Sequence, residues 1–180
     1  MKRIFYIPLL LTLFVFLSCD QEADESLDPR PLLVNGQFMR LDITKDRFDA
    51  NDLANTSFGG KLTSPSGTVV RYELFVRVTR AGDLVSDYLL YDEITSFPYD
   101  LNVTPATIEA VYAAANIPLT LTNGDKIRFI GFSYDAAGNR VGFSNLSRTV
   151  QTQPGYKQAY RFNFAVLTDI TSDVNNYEGS

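Results

Sequence analysis

Cys19 is the residue whose type and position most clearly predict chemistry. It is the single cysteine of the 180-residue chain, and two basic residues and the apolar run Ile4–Leu17 precede it. A basic start followed by about 14 apolar residues is typical of an export signal and is short for a bilayer span. Ser18 supplies the small residue that cleavage before a lipid-bearing cysteine needs. The pattern predicts a lipoprotein signal at 1–18 and lipidation of Cys19, whereas a plain secretory signal or a membrane helix would leave Cys19 unmodified.

An acidic tether is predicted directly after this cysteine, over residues 19–32. Four acids lie between Asp20 and Glu25, and such a run stays solvated rather than packing into a core. Acidic stretches at this position resemble the surface-export signal of Bacteroidota lipoproteins. Two interpretations remain open, an export signal and a simple soluble tether.

The composition excludes several classes of function. The chain has no histidine and no tryptophan, so most catalytic triads and most zinc sites lack their usual residue. Its net charge of −5 argues against a broad nucleic-acid interface, which needs a basic stripe. We therefore expect no catalytic residues, no metal site, no cofactor and no nucleic-acid partner.

The densest group of oxygen ligands comprises Asp46, Asp49, Asn51, Asp52 and Asn55. Calcium prefers such ligands, but their spacing does not fit an EF-hand loop. A polar loop in which Asp and Asn side chains bond their own backbone is the favoured interpretation.

Carboxylate pairs give little support for acid–base catalysis. Asp92 and Glu93 are adjacent, so on a strand they point to opposite faces. Asp83 and Asp87 flank a predicted hairpin and are expected to be solvated.

Nucleophile motifs are also missing from the sequence. There is no GxSxG, and no SxxK follows the signal, although a serine–lysine pair could work without histidine. The lysines available for such a pair are Lys45, Lys61, Lys126 and Lys157.

Aromatic residues offer a different chemistry, which is stacking. Tyr88, Tyr91, Phe97 and Tyr99 lie close together in sequence and could form a platform for sugar rings or a partner edge. The favoured interpretation is that they fill a core without tryptophan. Phe75 is predicted to point outward between charged residues, which indicates either a covering helix or a contact surface.

The elements that position these residues are mostly strands. Apolar residues alternate with polar ones, the period of a half-buried strand. The inward set includes Val70, Tyr72, Leu74, Val76 and Val78 in the clearest strand, Met39, Leu41 and Ile43 in another, and Tyr160, Phe162, Phe164 and Val166 in the last. Further strands are predicted at Phe58–Leu62, at 84–94 and, as a central strand, at Ile127–Tyr134.

One helix is predicted over 105–115. Thr104 is a good N-cap, Pro105 suits the first helical position, and Pro118 prevents continuation. Turns are predicted at Ala81–Asp83, Asn123-Gly124, Asp135–Asn139 and Ser64–Gly67.

These elements predict a mainly β chain, an Ig-like antiparallel β-sandwich with one short helix over residues 33–168, after a signal peptide and before a loose C-terminal tail at 169–180. The run Phe132–Arg140, with its Asp-Ala-Ala-Gly-Asn turn, resembles the F–G hairpin of fibronectin type III and related Ig-like domains.

A broader resemblance covers nearly the whole mature chain. The segments Phe48–Asn55, Ile94–Pro98 and Lys157–Phe162 resemble a family of small, uncharacterised Bacteroidota surface lipoproteins. The resemblance implies an Ig-like domain, a lipid anchor and residence near outer-membrane uptake or secretion systems. It implies no site residue beyond Cys19.

The predicted function is therefore a binding or scaffolding module without catalysis. It would be lipid-anchored in the outer membrane, with the cell surface favoured and a periplasm-facing position left open, and would engage an outer-membrane protein or an extracellular glycan. The alternatives are a carboxylate-dependent hydrolase, a structural partner subunit, and an N-terminal module that works with a partner domain outside this chain.

Overall fold

The computed structural model describes residues 37–168, which form ten β-strands, two α-helices and two 3-10 turns. The strands are β1 Arg40–Lys45, β2 Phe48–Asp49, β3 Phe58–Thr63, β4 Val69–Arg80, β5 Asp83–Leu84, β6 Leu89–Ile94, β7 Tyr99–Val103, β8 Lys126–Asp135, β9 Arg140–Val141 and β10 Arg161–Leu167. The helices are α1 Pro105–Ala114 and α2 Arg148–Thr152, and the 3-10 turns are Phe143–Asn145 and Pro154–Tyr156. No helix within residues 37–168 is long and apolar enough to cross a bilayer.

The strands form two sheets, so the predicted mainly β, sandwich-type fold is confirmed. The smaller sheet has the order β1-β3-β7. The larger sheet has the order β2-β10-β8-β4, with β5 and β6 both pairing with β4 and β9 pairing with β8. All pairs are antiparallel except β2 with β10, which is parallel.

The predicted alternation holds along the long strands, with two local exceptions. In β4 the residues from Tyr72 to Val78 alternate between buried and half-buried. Val70, however, is 46% exposed, because a register shift between Val69 and Arg71 places Val69 in the core instead. Ile43 is 48% exposed, beside a register shift in β1, so its predicted inward position is wrong.

Stacked aromatic rings join the two sheets in the core. Phe58, from the smaller sheet, stacks on Phe164 of the larger sheet at 4.2 Å between ring centroids. Phe162 lies 5.5 Å from Phe58 and 5.1 Å from Phe129, with nearly parallel rings. Phenylalanine thus fills the core in the absence of tryptophan, as the composition predicted.

A buried polar network closes one part of this core. The Tyr160 hydroxyl lies 2.9 Å from Ser133 Oγ and donates to the Gln37 carbonyl at 3.1 Å. The Gln37 side chain accepts from Ser133 Oγ and donates to the Asn139 carbonyl. Burial raises the pKa of Tyr160 to about 12, so its hydroxyl stays protonated and available as a donor.

Helix α1 begins and ends close to its predicted bounds. Thr104 caps it, since the Thr104 side chain accepts from the Thr107 N–H and the Thr107 side chain accepts from the Thr104 N–H. Pro105, Ile108 and Tyr112 are buried. The prediction of one helix was incomplete, because five-residue α2 is too short to show a helical period, although Ser147 caps it.

The predicted strand at 84–94 is interrupted, and a tyrosine fills the gap. Strand β5 ends at Leu84 and β6 begins at Leu89, so β4 lacks a regular neighbour between them. The Val78 N–H donates instead to the Tyr112 hydroxyl of α1 at 2.7 Å. Because this N–H is buried, the tyrosine satisfies a donor that would otherwise be unpaired.

The predicted turns are present. The β4–β5 hairpin has two turn residues rather than three, Ala81 and Gly82, with φ of 52° and 97°. Gly124, with φ of 89°, occupies the turn before β8. Asp135 accepts hydrogen bonds from the backbone N–H groups of Ala137 and Asn139, which fixes the β8–β9 hairpin.

Candidate functional site

The candidate site is the solvent-facing surface of the larger sheet, here called the outer face. It consists of the odd-numbered residues 71–79 of β4, the even-numbered residues 126–134 of β8 and the odd-numbered residues 161–165 of β10, which the strand registers place side by side. Because side chains alternate along a strand, these residues point away from the core. A single acid lies among five cations in this set: Glu73 with Arg71, Arg77, Lys126, Arg128 and Arg161.

Arginine side chains stack on aromatic rings across the outer face. The Arg71 guanidinium lies 4.0 Å from the Tyr134 ring centroid, and that of Arg161 lies 3.5 Å from Phe143. Arg140, from neighbouring β9, covers Phe132 at 4.7 Å. Stacking occupies the flat face of a guanidinium and orients it while leaving N–H donors at its edge. The surface therefore presents positioned cations rather than freely rotating ones.

The acid of the outer face is already neutralised at one end of the sheet. Glu73 accepts from Arg71 at 2.6 Å and from the Tyr134 hydroxyl at 2.7 Å. Burial, and then the hydrogen bond to Glu73, raise the pKa of Tyr134. Glu93 of β6 adds a second carboxylate, 3.4 Å from Arg71. Both carboxylates therefore pair with Arg71. The opposite end of the outer face, around Arg77 and Arg128, contains no acidic residue of the set.

A shallow depression of about 430 Å³ lies at this other end. Its lining is Arg77, Thr79, Lys126, Arg128, Asn163 and Ala165, together with parts of two core side chains. We call it the cationic depression, because three of these residues are basic and none is acidic.

The three cations of the cationic depression have no carboxylate partner among residues 37–168. Arg77 and Arg128 are direct cross-strand partners, and Lys126 stands two positions from Arg128 on the same side of β8. The Arg77 guanidinium lies 4.5 Å from the Tyr88 ring centroid, and its Nε is buried without a hydrogen-bond partner. Two like charges placed opposite each other destabilise a sheet, so this arrangement has a cost that a bound anion would offset.

Phe75 lies on the outer face as predicted, but helix α1 does not cover it. Its ring meets Phe132 edge-on at 5.9 Å, and both are half-buried. Helix α1 directs Ile108 and Tyr112 into the core instead. Of the two expectations for Phe75, the covering helix is wrong, and a contact surface stays a prediction.

The four aromatic residues grouped by sequence do not form one platform. Tyr91, Phe97 and Tyr99 pack against the core, and Tyr91 meets Phe129 edge-on at 5.3 Å. Tyr88 lies instead under Arg77 at the cationic depression. The core interpretation is confirmed for three of them and fails for Tyr88.

The carboxylates singled out by sequence lie apart. Asp92 accepts from the Tyr99 hydroxyl at 2.9 Å, whereas Glu93 reaches Arg71 on the outer face, so the predicted opposite orientation is confirmed. Asp83 and Asp87 are exposed, as expected.

The Asp and Asn side chains between Asp46 and Asn55 bond mainly to groups of their own loop. Asp49 Oδ1 accepts from the Asn51 N–H at 2.9 Å, and Asp52 accepts from the Asn55 side chain at 2.8 Å. Asp46 pairs with neighbouring Arg47. Within residues 37–168, no three His, Cys, Asp or Glu side chains are grouped as metal ligands.

The lysines considered for nucleophilic chemistry are dispersed. Lys45 donates to Ser57 at 3.0 Å in an exposed position, and Lys157 pairs with Asp42 at 2.7 Å. Lys126 lies in the cationic depression. Cys19, with the signal at 1–18, the tether at 19–32 and the tail at 169–180, lies outside the described residues.

The sequence analysis missed the cationic depression. Arg77 lies about fifty positions from Lys126 and Arg128, and only the register of β4 with β8 brings them together. The available signal was the same-face spacing of Lys126 and Arg128, with no acid between them. No family model, curated protein or solved structure matches the chain, so the site's interpretation rests on its own geometry.

Proposed function

We propose that this chain is a lipid-anchored module of the bacterial outer membrane, displayed at the cell surface, that binds a partner without catalysing a reaction. The observation that carries the proposal is the outer face, where stacked arginines and half-buried aromatics form a continuous surface on three strands. Arginine and aromatic side chains are the types enriched at the centre of binding surfaces.

The strand order supports an Ig-like assignment for this module. In this assignment, strands β1, β3 and β7 would correspond to A, B and E of an Ig-like domain, and β10, β8, β4 and β6 to G, F, C and C′. The outer face then corresponds to the G-F-C surface. A flat sheet face of this kind presents many contacts at once, which suits a binding domain.

The anchor in this proposal is Cys19, at the end of its apolar signal. A lipid on Cys19 would confine the module to a surface, and confinement raises its effective concentration toward partners in the same membrane. Weak contacts on the outer face would then suffice. The acidic residues after Cys19 would hold the domain clear of anionic headgroups.

The anchoring part is tested on intact cells of the source organism. We expect wild-type protein to be accessible to added protease and to fractionate with the outer membrane, and Cys19→Ala to be released into the medium or periplasm. A Cys19→Ala protein that stays membrane-bound would contradict lipid anchoring. Full protection from protease in intact cells would contradict surface display.

The binding part is tested by adding the purified, signal-free Cys19→Ala chain to cells that lack the gene. We expect saturable binding that is lost when Arg128, Arg140 and Arg161 are all reversed to glutamate. The matched control reverses three exposed lysines away from the outer face, and this set is Lys45, Lys61 and Lys157. Equal loss in both triple variants would show that net charge, rather than the outer face, drives binding.

A further inference from the structure

The cationic depression differs from the rest of the outer face in its unpaired charge. Arg71 has two carboxylates within 3.4 Å, whereas Arg77, Lys126 and Arg128 have none among residues 37–168. Arg77 also retains a buried Nε without a hydrogen-bond partner. The site therefore fits a ligand that carries negative charge.

Neutral hydrogen-bonding groups lie beside these cations. The register places Asn163 of β10 next to Arg128, and Thr79 of β4 next to Lys126. Neither side chain has a hydrogen-bond partner within the described part of the chain. Amide and hydroxyl groups recognise neutral hydroxyls, so the depression combines charge recognition with hydroxyl recognition. Ala165, opposite Lys126, is small and leaves the depression open.

A second surface depression, on the smaller sheet, does not have this unpaired positive charge. That depression contains Lys45 and Lys61, but Asp100 lies directly across the strands from Lys61. Its charges are thus locally mixed. It provides a matched location for control substitutions, since it has a similar volume of about 420 Å³.

We propose that the cationic depression binds an acidic polysaccharide, with an anionic substituent between Arg77 and Arg128 and sugar hydroxyls on Thr79 and Asn163. This inference rests on the proposed function and names the partner class of the same face. The volume is in the range of small-ligand sites, so a short stretch of the polymer is held.

Two other classes of partner, a protein and a nucleic acid, fit these observations less well. A protein partner would normally add an exposed apolar centre, but the large apolar side chains of the depression, Ile127 and Phe164, are core residues exposed by no more than 7%. A nucleic acid would need a long cationic track to match its phosphates, and the chain as a whole has a net charge of −5.

The test is calorimetric titration of the signal-free Cys19→Ala chain with chondroitin sulfate, polygalacturonate and neutral dextran. We expect at least one of the two acidic polymers to bind, dextran not to bind, and added salt to weaken the complex. The variant Lys126→Ala/Arg128→Ala should bind about tenfold more weakly or worse, because charge-assisted hydrogen bonds are lost. Arg77→Lys should also weaken binding, since lysine keeps the charge but not the planar guanidinium.

The matched control is Lys45→Ala/Lys61→Ala, which removes two positive charges from the other depression. It should bind like the parent chain. Thermal unfolding of every variant checks that it folds. If Lys126→Ala/Arg128→Ala or Arg77→Lys does not fold, Arg128→Gln is measured in its place. Equal weakening by the control, binding of dextran, or stronger binding of polyglutamate or duplex DNA would each overturn the proposal.

Failure here is distinguishable from failure of the proposed function. If no acidic polymer binds while the cell-binding assay still depends on Arg128, Arg140 and Arg161, the polysaccharide is wrong and the binding module stands. If cell binding also ignores those arginines, the outer face is not the binding surface at all.

Discussion

Gly131 is the residue on which the contact between β4 and the segment just before β10 depends. The Tyr72 side chain crosses β8 at this glycine, and its hydroxyl donates to the Ala159 carbonyl at 2.5 Å. A Cβ on Gly131 would lie 2.0 Å from the Tyr72 hydroxyl oxygen. Burial raises the pKa of Tyr72 well above its usual value, which keeps this donor protonated.

We therefore expect Gly131→Ala to destabilise the fold by about 2–3 kcal/mol, a typical cost of overpacking a core. The measurement is urea unfolding of the chain that lacks residues 1–18. Gly155→Ala is the matched control, because a Cβ there meets no atom within 4 Å. An unchanged midpoint for Gly131→Ala would mean that Tyr72 does not lie against β8 in solution.

Asp125 holds the start of β8 to the end of β4. Arg80 donates to both Asp125 oxygens, at 2.8 and 2.7 Å, and the Thr122 N–H adds a third bond at 2.8 Å. Burial acts to raise the pKa of Asp125, but the bonds from Arg80 and Thr122 outweigh it and hold the pKa below its usual value.

Asp125→Asn should cost about 2 kcal/mol, because the buried carboxylate is 1% exposed and its removal leaves Arg80 without its charged partner. The loss is measured by chemical denaturation at neutral pH. Exposed Asp87→Asn should leave stability unchanged. Equal stability of both variants would show that the pair contributes nothing net.

Single residues were predicted well where local pattern decides their position. The outward direction of Phe75 and the cap at Thr104 follow from alternation and from side-chain chemistry alone. The pairing of Arg77 with Arg128 could not be predicted, because it depends on which strands become neighbours and in which register. Tyr88 was misassigned for the same reason, since its partner Arg77 comes from another strand.

At the scale of elements, α1 completes the larger sheet where β5 and β6 leave a gap. The Tyr112 hydroxyl accepts the Val78 N–H, so a helix side chain substitutes for a missing strand residue. Tyr112 is fully buried, and water cannot replace its hydroxyl without a rearrangement. The helix is thus bonded to the sheet as well as packed on it.

Tyr112→Phe should destabilise the domain by about 1–2 kcal/mol, since a buried N–H would be left unpaired. Hydrogen exchange of the Val78 amide should accelerate more than that of its neighbours. Tyr156→Phe, at an exposed tyrosine, serves as the control. Unaltered exchange at Val78 would argue against this bond.

Element types were predictable because their periods are long. The alternating patterns of β4 and β10 and the helical pattern of α1 each extend over seven or more residues. Shorter features were not predictable. The bulge that exposes Val70 and the five-residue α2 depend on tertiary packing, which overrides local preference.

At the scale of the whole molecule, stability should fall at both ends of the pH range. Hydrogen bonds from Arg40 and Lys157 lower the pKa of Asp42, and those from Asn139 lower that of Asp135. Carboxyls with lowered pKa stabilise the fold above their unfolded value of about 4, and this contribution is lost as the pH falls through their folded pKa values.

At alkaline pH the relevant pKa shifts are upward, and they belong to tyrosines. Burial, followed by the bond to Asp92, raises the pKa of Tyr99 to about 12, and burial raises that of Tyr160 to about 12. Raised pKa values stabilise the fold below the unfolded value of about 10, and the contribution disappears as the pH rises through about 12.

Thermal unfolding across pH therefore should give a plateau between about pH 5 and pH 9, with loss on either side. Tyrosinate absorbance should appear late and together with unfolding. Titration of all tyrosines near pH 10 in the folded protein would contradict the burial of Tyr160. The acid limb should be shallower in Asp125→Asn than in the parent chain, since one contributing carboxyl is gone.

The parallel pairing of β2 with β10 has a consequence for the order of events. Phe48 is the register partner of Val166, so the beginning and the end of the domain complete the same sheet. The larger sheet cannot close until the final strand has emerged from the ribosome and, for an exported chain, from the translocation channel. An arrested chain that ends before Arg161 would lack the neighbour of both β2 and β8. We expect such chains to be degraded, so that incomplete domains do not accumulate.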